Sequence, residues 1–229
     1  MKWLTNVLFV AIIASSSVNC QAVPVTLEAI EDSFISSDDW ANLNFGAGVP
    51  GSGYSNRAVG KQNAHTGLQI GRQLYKFNLP PNAPGNVLSA ALRLKVNDNF
   101  AGSPYPTAVY GLNDSWSEFV VTWNTQPAVD SGELDVVNAT CCGIVYNYDV
   151  TSYVQSQANS NDLIASFIQR GQDESVIGGL RWWQREGDGI TENLITGESP
   201  KLILNLVPEP TSISLLLLGG LLVLQRSRP

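Results

Sequence analysis

The chain has 229 residues, with 13 Lys and Arg against 20 Asp and Glu, a formal net charge of −7 and a single histidine, His65. That balance argues against nucleic acid and anionic lipid as partners, because both are held by clustered Lys and Arg. One histidine among three cysteines also leaves no Cys/His zinc spacing.

At the N-terminus come Lys2, an apolar stretch from Val7 to Ala14, and small and polar residues up to Cys20-Gln21-Ala22. This positive, apolar, cleavable order predicts a signal peptide over 1–22 and hence export. The stretch 23–206 suits one domain with a real core and is too short for two ordinary ones. Setting aside Lys2, Glu209, Arg226 and Arg228 leaves 10 basic and 19 acidic residues, a formal charge of about −9. Against that background a polyuronate would need a local basic patch, whereas a neutral glycan would need none.

Strand periodicity then runs along the chain. It shows in Val25 to Ile30; in Tyr75, Phe77 and Leu79 around Lys76 and Asn78; and in Leu92, Leu94 and Val96 around Arg93 and Lys95. It returns at Tyr146 to Val150 and in Leu202, Leu204 and Leu206. Turn formers separate these runs, as in Pro80-Pro81-Asn82-Ala83-Pro84-Gly85 and Gly102-Ser103-Pro104. The best helical stretch is 150–159, capped by Asp149 or Thr151. Short strands without strand–helix alternation predict an all-β fold, an antiparallel β-sandwich of the jelly-roll kind, as a single domain over 23–206.

Cys141 and Cys142 are adjacent, so they staple no long loop. In an oxidising compartment they form a vicinal disulfide, pair with a second chain, or stay as thiols. The chain closes on Val207-Pro208-Glu209-Pro210, an apolar run over 211–224, and a basic end with Arg226 and Arg228. About 20 apolar residues cross a bilayer comfortably, so the run is a marginal span. The tail over 207–229 resembles the PEP-CTERM sorting signal. That resemblance implies transient membrane association, processing by an exosortase, and release to the surface or extracellular matrix of a Gram-negative bacterium.

The middle of the chain carries Asp32-Ser33-Phe34-Ile35, Leu74-Tyr75-Lys76-Phe77-Asn78-Leu79, Leu88-Ser89-Ala90-Ala91-Leu92-Arg93-Leu94, Trp116-Ser117-Glu118, Thr122-Trp123-Asn124-Thr125-Gln126-Pro127, Asp149-Val150-Thr151 and Arg185-Glu186. In this order the motifs resemble the DNRLRE domain family, which includes the family 96 carbohydrate-binding modules. The resemblance implies a secreted β-sandwich and, as partner, a polysaccharide, uronate polymers for some members. The chain departs from the pattern in its Gly/Ser-rich insertion around 46–60, in Asn78, and in the vicinal cysteines.

Sugar binding needs flat aromatic surface for the apolar ring face and planar polar side chains for the hydroxyls. Trp182 and Trp183 with Arg181 and Arg185 fit that description, one indole facing the core and the other outward. Tyr54, Arg57 and Lys61 are a second set. Trp116 and Trp123 read as packing residues around a turn that Glu118 and Asn124 hold. Structural calcium would draw on Asp32, Asn42, Asn44 and Glu186, with Asp38 and Asp39 close by, since these supply hard oxygen ligands. A polysaccharide lyase would use Glu118, Glu186, Tyr146 and Tyr148, which nothing in the sequence brings together, and no nucleophile elbow or phosphate loop is present. The favoured function is therefore a non-catalytic module that binds extracellular polysaccharide. The alternative is a structural component of an extracellular matrix, marked by a bare sheet edge or a face without aromatics.

Overall fold

Eleven strands and one α-helix follow from this patterning in the computed structural model, which describes residues 22–46, 58–64, 67–99, 104–140, 143–160, 163–185 and 199–207. They are β1 (Val23–Glu28), β2 (Glu31–Ser36), β3 (Ala58–Ala64), β4 (Gly67–Asn78), β5 (Val87–Asn99), β6 (Tyr105–Leu112), β7 (Val129–Ala139), β8 (Val145–Asp149), α1 (Thr151–Asn159), β9 (Ile164–Gly171), β10 (Gly178–Trp182) and β11 (Lys201–Leu206). Strand pairing between these elements is antiparallel.

One sheet is β1-β11-β5-β8. The other has β3 and β2 in succession along one edge of β4, and β9, β6 and β7 beyond its other edge. The long strand β5 joins both, because its C-terminal half leaves β8 and pairs with β10, which in turn pairs with β3. The inward positions of the two sheets, among them Tyr75, Phe77, Leu92, Leu94, Val96, Val109, Phe167, Leu180, Leu202 and Leu204, form the main core. The all-β sandwich expected from the periodicity is what the chain builds.

The core is not purely apolar. The Tyr75 hydroxyl donates to Gln169 Oε1 at 2.9 Å, Gln169 Nε2 donates to the Tyr148 hydroxyl at 2.8 Å, and Thr107 Oγ1 lies 2.7 Å from the same hydroxyl. Burial pushes both phenols well above their ordinary pKa, so they act as neutral hydrogen-bonding groups that tie β4, β9, β6 and β8 together.

Tyr105 closes one end of the core by lying over glycines. A Cβ on Gly171 or Gly178 would come within 2.3 or 2.5 Å of its side chain, and one on Gly60 would meet the Gly178 carbonyl at 2.3 Å. Gly60 also has φ +124°, a region that L side chains rarely adopt. Gly60→Ala is expected to lower stability by about 2–3 kcal/mol, read as a reduced urea midpoint.

Helix α1 starts at Thr151 because Asp149 Oδ1 accepts the Thr151 amide at 3.0 Å and its hydroxyl at 2.6 Å. The Thr151 hydroxyl and then its amide hold the Asp149 carboxyl below its usual pKa. A depressed carboxyl stabilises the fold above its unfolded pKa and stops doing so as pH falls through the folded value. Asp149→Ala is expected to cost about 0.5–1 kcal/mol at neutral pH, the low end for an exposed group. The difference from wild type should shrink below about pH 4 in urea melts across pH.

Two elements differ from the sequence reading. The segment around Asp32, named above as a source of calcium ligands, is the edge strand β2, with Asp32 only 2% exposed. The connection 113–128 between β6 and β7, read as a turn, folds back over the outer face of the second sheet. There Trp116 and Val121 cover Ile35, Leu74, Ala108 and Ile168 in a second, smaller core. Lys76, outward by alternation, is therefore buried: its ammonium pairs with Glu31 at 2.8 Å, donates to the Trp116 carbonyl and sits 4.6 Å from the Trp116 ring centroid. Among the described residues no helix is long and apolar enough to cross a membrane. Of the signal peptide expected over 1–22, residues 1–21 lie outside the described residues, as do 208–229 of the sorting tail expected over 207–229.

Candidate functional site

The predicted site residues separate into three groups. Tyr54, Arg57, Glu186, Cys141 and Cys142 lie outside the described residues. A second group turns out to hold the fold together. The third, Arg181 and Trp183, is half-buried on the outward side of the sheet.

Arg185 and the proposed calcium ligands belong to the second group. Glu118, 2% exposed, reaches the free edge of β2: its Oε2 accepts the Asp32 amide at 3.1 Å and its Oε1 pairs with Arg185 Nη2 at 2.8 Å. Arg185 also donates through Nη1 to the Ile30 carbonyl and through its backbone amide to Asp32 Oδ2 at 2.7 Å. Arg185 thus serves as a clasp on an edge strand, and Asp32 takes part in the same clasp. Asn44 Nδ2 donates to the Glu118 and Val121 carbonyls at 2.8 and 2.7 Å, and Asn42 Oδ1 accepts from Asn124 Nδ2 at 2.8 Å. Among the described residues no group of three or more His, Cys, Asp or Glu side chains is placed to hold a metal ion. The motif residues Trp116-Ser117-Glu118 and Thr122-Trp123-Asn124 therefore fix a connection, with Glu118 and Asn124 holding it as expected. The ion pair with Arg185 was not visible in the sequence.

Trp182 is removed from the binding set by the strand period that leaves Trp183 outside. It is 3% exposed and packs edge-on against Tyr146, ring centroids 5.9 Å apart, and tilted against Tyr148 at 6.3 Å. The proposed lyase residues Tyr146 and Tyr148 are consequently core-packing groups on β8, separated in role from Glu118 in its clasp. The Tyr146 hydroxyl accepts from the Thr140 amide at 2.8 Å and lies 3.0 Å from Thr140 Oγ1.

The third group has company. Leu92, Leu94 and Val96 face the core, so Arg93, exposed, and Lys95, half-buried, take the outward side of β5; Leu180 and Trp182 face the core, so Arg181 on β10 and Trp183 just after it take the outward side there, both half-buried. The Trp183 amide donates to the Lys95 carbonyl at 3.0 Å, which sets its half-exposed indole beside Lys95. On the next strand Lys201 stands opposite Arg93 and pairs with Glu28 at 3.0 Å. The outer surface of β11, β5 and β10 thus gathers Lys201, Arg93, Lys95 and Arg181, ending at an indole, in a chain of net charge −7. Asn147 extends it on β8, opposite Arg93. Arg93 and Lys95 were read from the sequence only as the polar half of an alternating strand. Which neighbours they meet depends on the register with β11 and β10, which one sequence does not give.

A β-sandwich presenting cations, an amide and an indole on an outer sheet face has the build of a carbohydrate-binding module. The chain belongs to carbohydrate-binding module family 96, whose family model matches residues 23–187. Families of such modules are typically non-catalytic. No curated protein matches the chain.

Proposed function

We propose that the protein is a non-catalytic module, exported and sorted to the cell surface, that binds an acidic, uronate-type polysaccharide along the outer face of β5 and β10. The observation that carries this reading is the row of Arg93, Lys95, Arg181 and Lys201 with Trp183 at its end. An acidic domain repels polyanions unless it concentrates its cations, and on this face four come from adjoining strands, with Glu28 the partner of Lys201 and Asp98 opposite Arg181. Arginine adds bidentate recognition of carboxylate, and the indole adds a stacking surface for the ring. Export and sorting rest on the signal-like segment over 1–22 and the PEP-CTERM-like tail over 207–229, with an exosortase as the processing partner.

The test is retention of the purified protein on gels of alginate, pectate, cellulose and xylan at graded salt, with assay of released reducing or unsaturated ends. Retention on the uronate gels that weakens with salt, without product, is the expected result. Product release would make the protein an enzyme. Failure to bind any gel would turn the reading to a structural matrix component.

A further inference from the structure

The outer face of the second sheet, opposite the cationic face, carries a different arrangement. Trp123, half-exposed, lies at the margin of the small core beneath the 113–128 connection. One face of its indole rests on the Arg72 guanidinium, whose Cζ is 4.3 Å from the ring centroid. That guanidinium is itself fixed. It makes two bonds to Glu174, at 2.8 and 2.7 Å, and one to Gln126 Oε1 at 2.8 Å, while Gln126 Nε2 donates back to the Trp123 carbonyl at 2.8 Å. One face of the indole is thus covered by a guanidinium that Glu174 and Gln126 hold in place.

Arg170 stands next to it. The register pairs Gln73 with Gln169, so one residue further along Arg72 and Arg170 come alongside on the same outer face of β4 and β9. The Arg170 guanidinium lies 3.9 Å from the Tyr110 ring centroid, and the Tyr110 hydroxyl is engaged by Glu133 at 3.1 Å. Among the described residues no carboxylate pairs with Arg170. Placing a half-buried arginine beside another, one neutralised by Glu174 and the other only by a ring face, costs stability that simple packing would not require. A flat guanidinium held over a tyrosine, with its N–H edge uncommitted, is instead suited to accept a carboxylate or vicinal hydroxyls.

We propose that Trp123 and Arg170 form a second sugar subsite, in which the indole stacks on the apolar face of a pyranose ring and Arg170 holds its carboxylate or hydroxyls. This inference rests on the polysaccharide-binding reading above and adds to it. With sugar-binding surfaces on opposite sheets, one module holds two polymer chains and cross-links them.

The experiment follows the indole Nε1–H signals of the ¹⁵N-labelled protein, the Trp123 signal being assigned by its loss in Trp123→Phe. The titrants are hexasaccharides of mannuronate, guluronate, glucose and xylose. Trp123 is expected to shift with at least one of them, the buried Trp116 and Trp182 staying in place. Arg170→Gln should raise the ligand concentration for half the Trp123 shift about tenfold. Wild type is expected to raise the viscosity of dilute alginate, and Arg170→Gln to abolish that rise while gel retention through the opposite face persists. If the protein is retained on a gel but the Trp123 signal stays still with all four hexasaccharides, the second subsite is refuted and the module reading stands. If the protein is retained on no gel, both fall.

Discussion

Glu118→Ala is expected to be the most destabilising single substitution in the connection that covers the second sheet, lowering the free energy of unfolding by about 3 kcal/mol. The carboxylate is 3% exposed and serves two partners, the Asp32 amide and the Arg185 guanidinium. Removing it takes the acceptor from a β-edge amide and the ion-pair partner from a partly buried cation, and the desolvation cost of those groups makes the loss exceed one hydrogen bond. Arg185→Ala should cost less, about 1–2 kcal/mol, since its side chain is 32% exposed and water replaces part of what it gives. Glu118→Gln keeps the shape and separates charge from packing. In urea unfolding the Glu118→Ala, Arg185→Ala double variant should be more stable than the sum of the singles implies, the mark of direct coupling. Additive losses would show that the pair contributes nothing as a pair. Loss of the clasp also frees the edge of β2, so the same variant should aggregate more readily on warming.

The strands were legible because burial on one face writes itself into every second residue. Leu202, Leu204 and Leu206, or Leu92, Leu94 and Val96, admit one assignment, and the structure places each triplet in the core. Lys76 shows where that logic stops. Its position on β4 reads as solvent-facing, and it is buried because residues far along the chain, at 113–128, fold over it. Asp32 shows the same limit in reverse. Its carboxylate looks like a loop oxygen because nothing local announces that Glu118 and Arg185, separated from it by 86 and 153 residues, meet it at a strand edge. The paired tryptophans at 182 and 183 were legible as one in and one out, since that needs only the two-residue period. Their neighbours were not. Arg93 and Lys95 join Arg181 only through the pairing of β5 with β10, and Trp123 meets Arg72 only through a connection closing over a sheet.

The second large effect concerns the cationic face. Arg93→Glu with Lys95→Glu is expected to weaken retention on alginate and pectate gels at least about tenfold at low salt, with little change in the urea midpoint. Both side chains alternate with the buried Leu92, Leu94 and Val96 and point away from the core, so inverting their charge leaves the packing of β5 in place. The effect on binding is electrostatic and hence screened: wild type and variant should converge as ionic strength rises toward 1 M, where the Debye length falls to about 3 Å. Trp183→Ala separates the other contribution, since loss of stacking lowers retention at low and high salt alike. A double charge inversion that left uronate binding unchanged would move the site off this face. A loss of binding that salt did not reduce would mean that the variant acts through the fold, which the urea midpoint would then show.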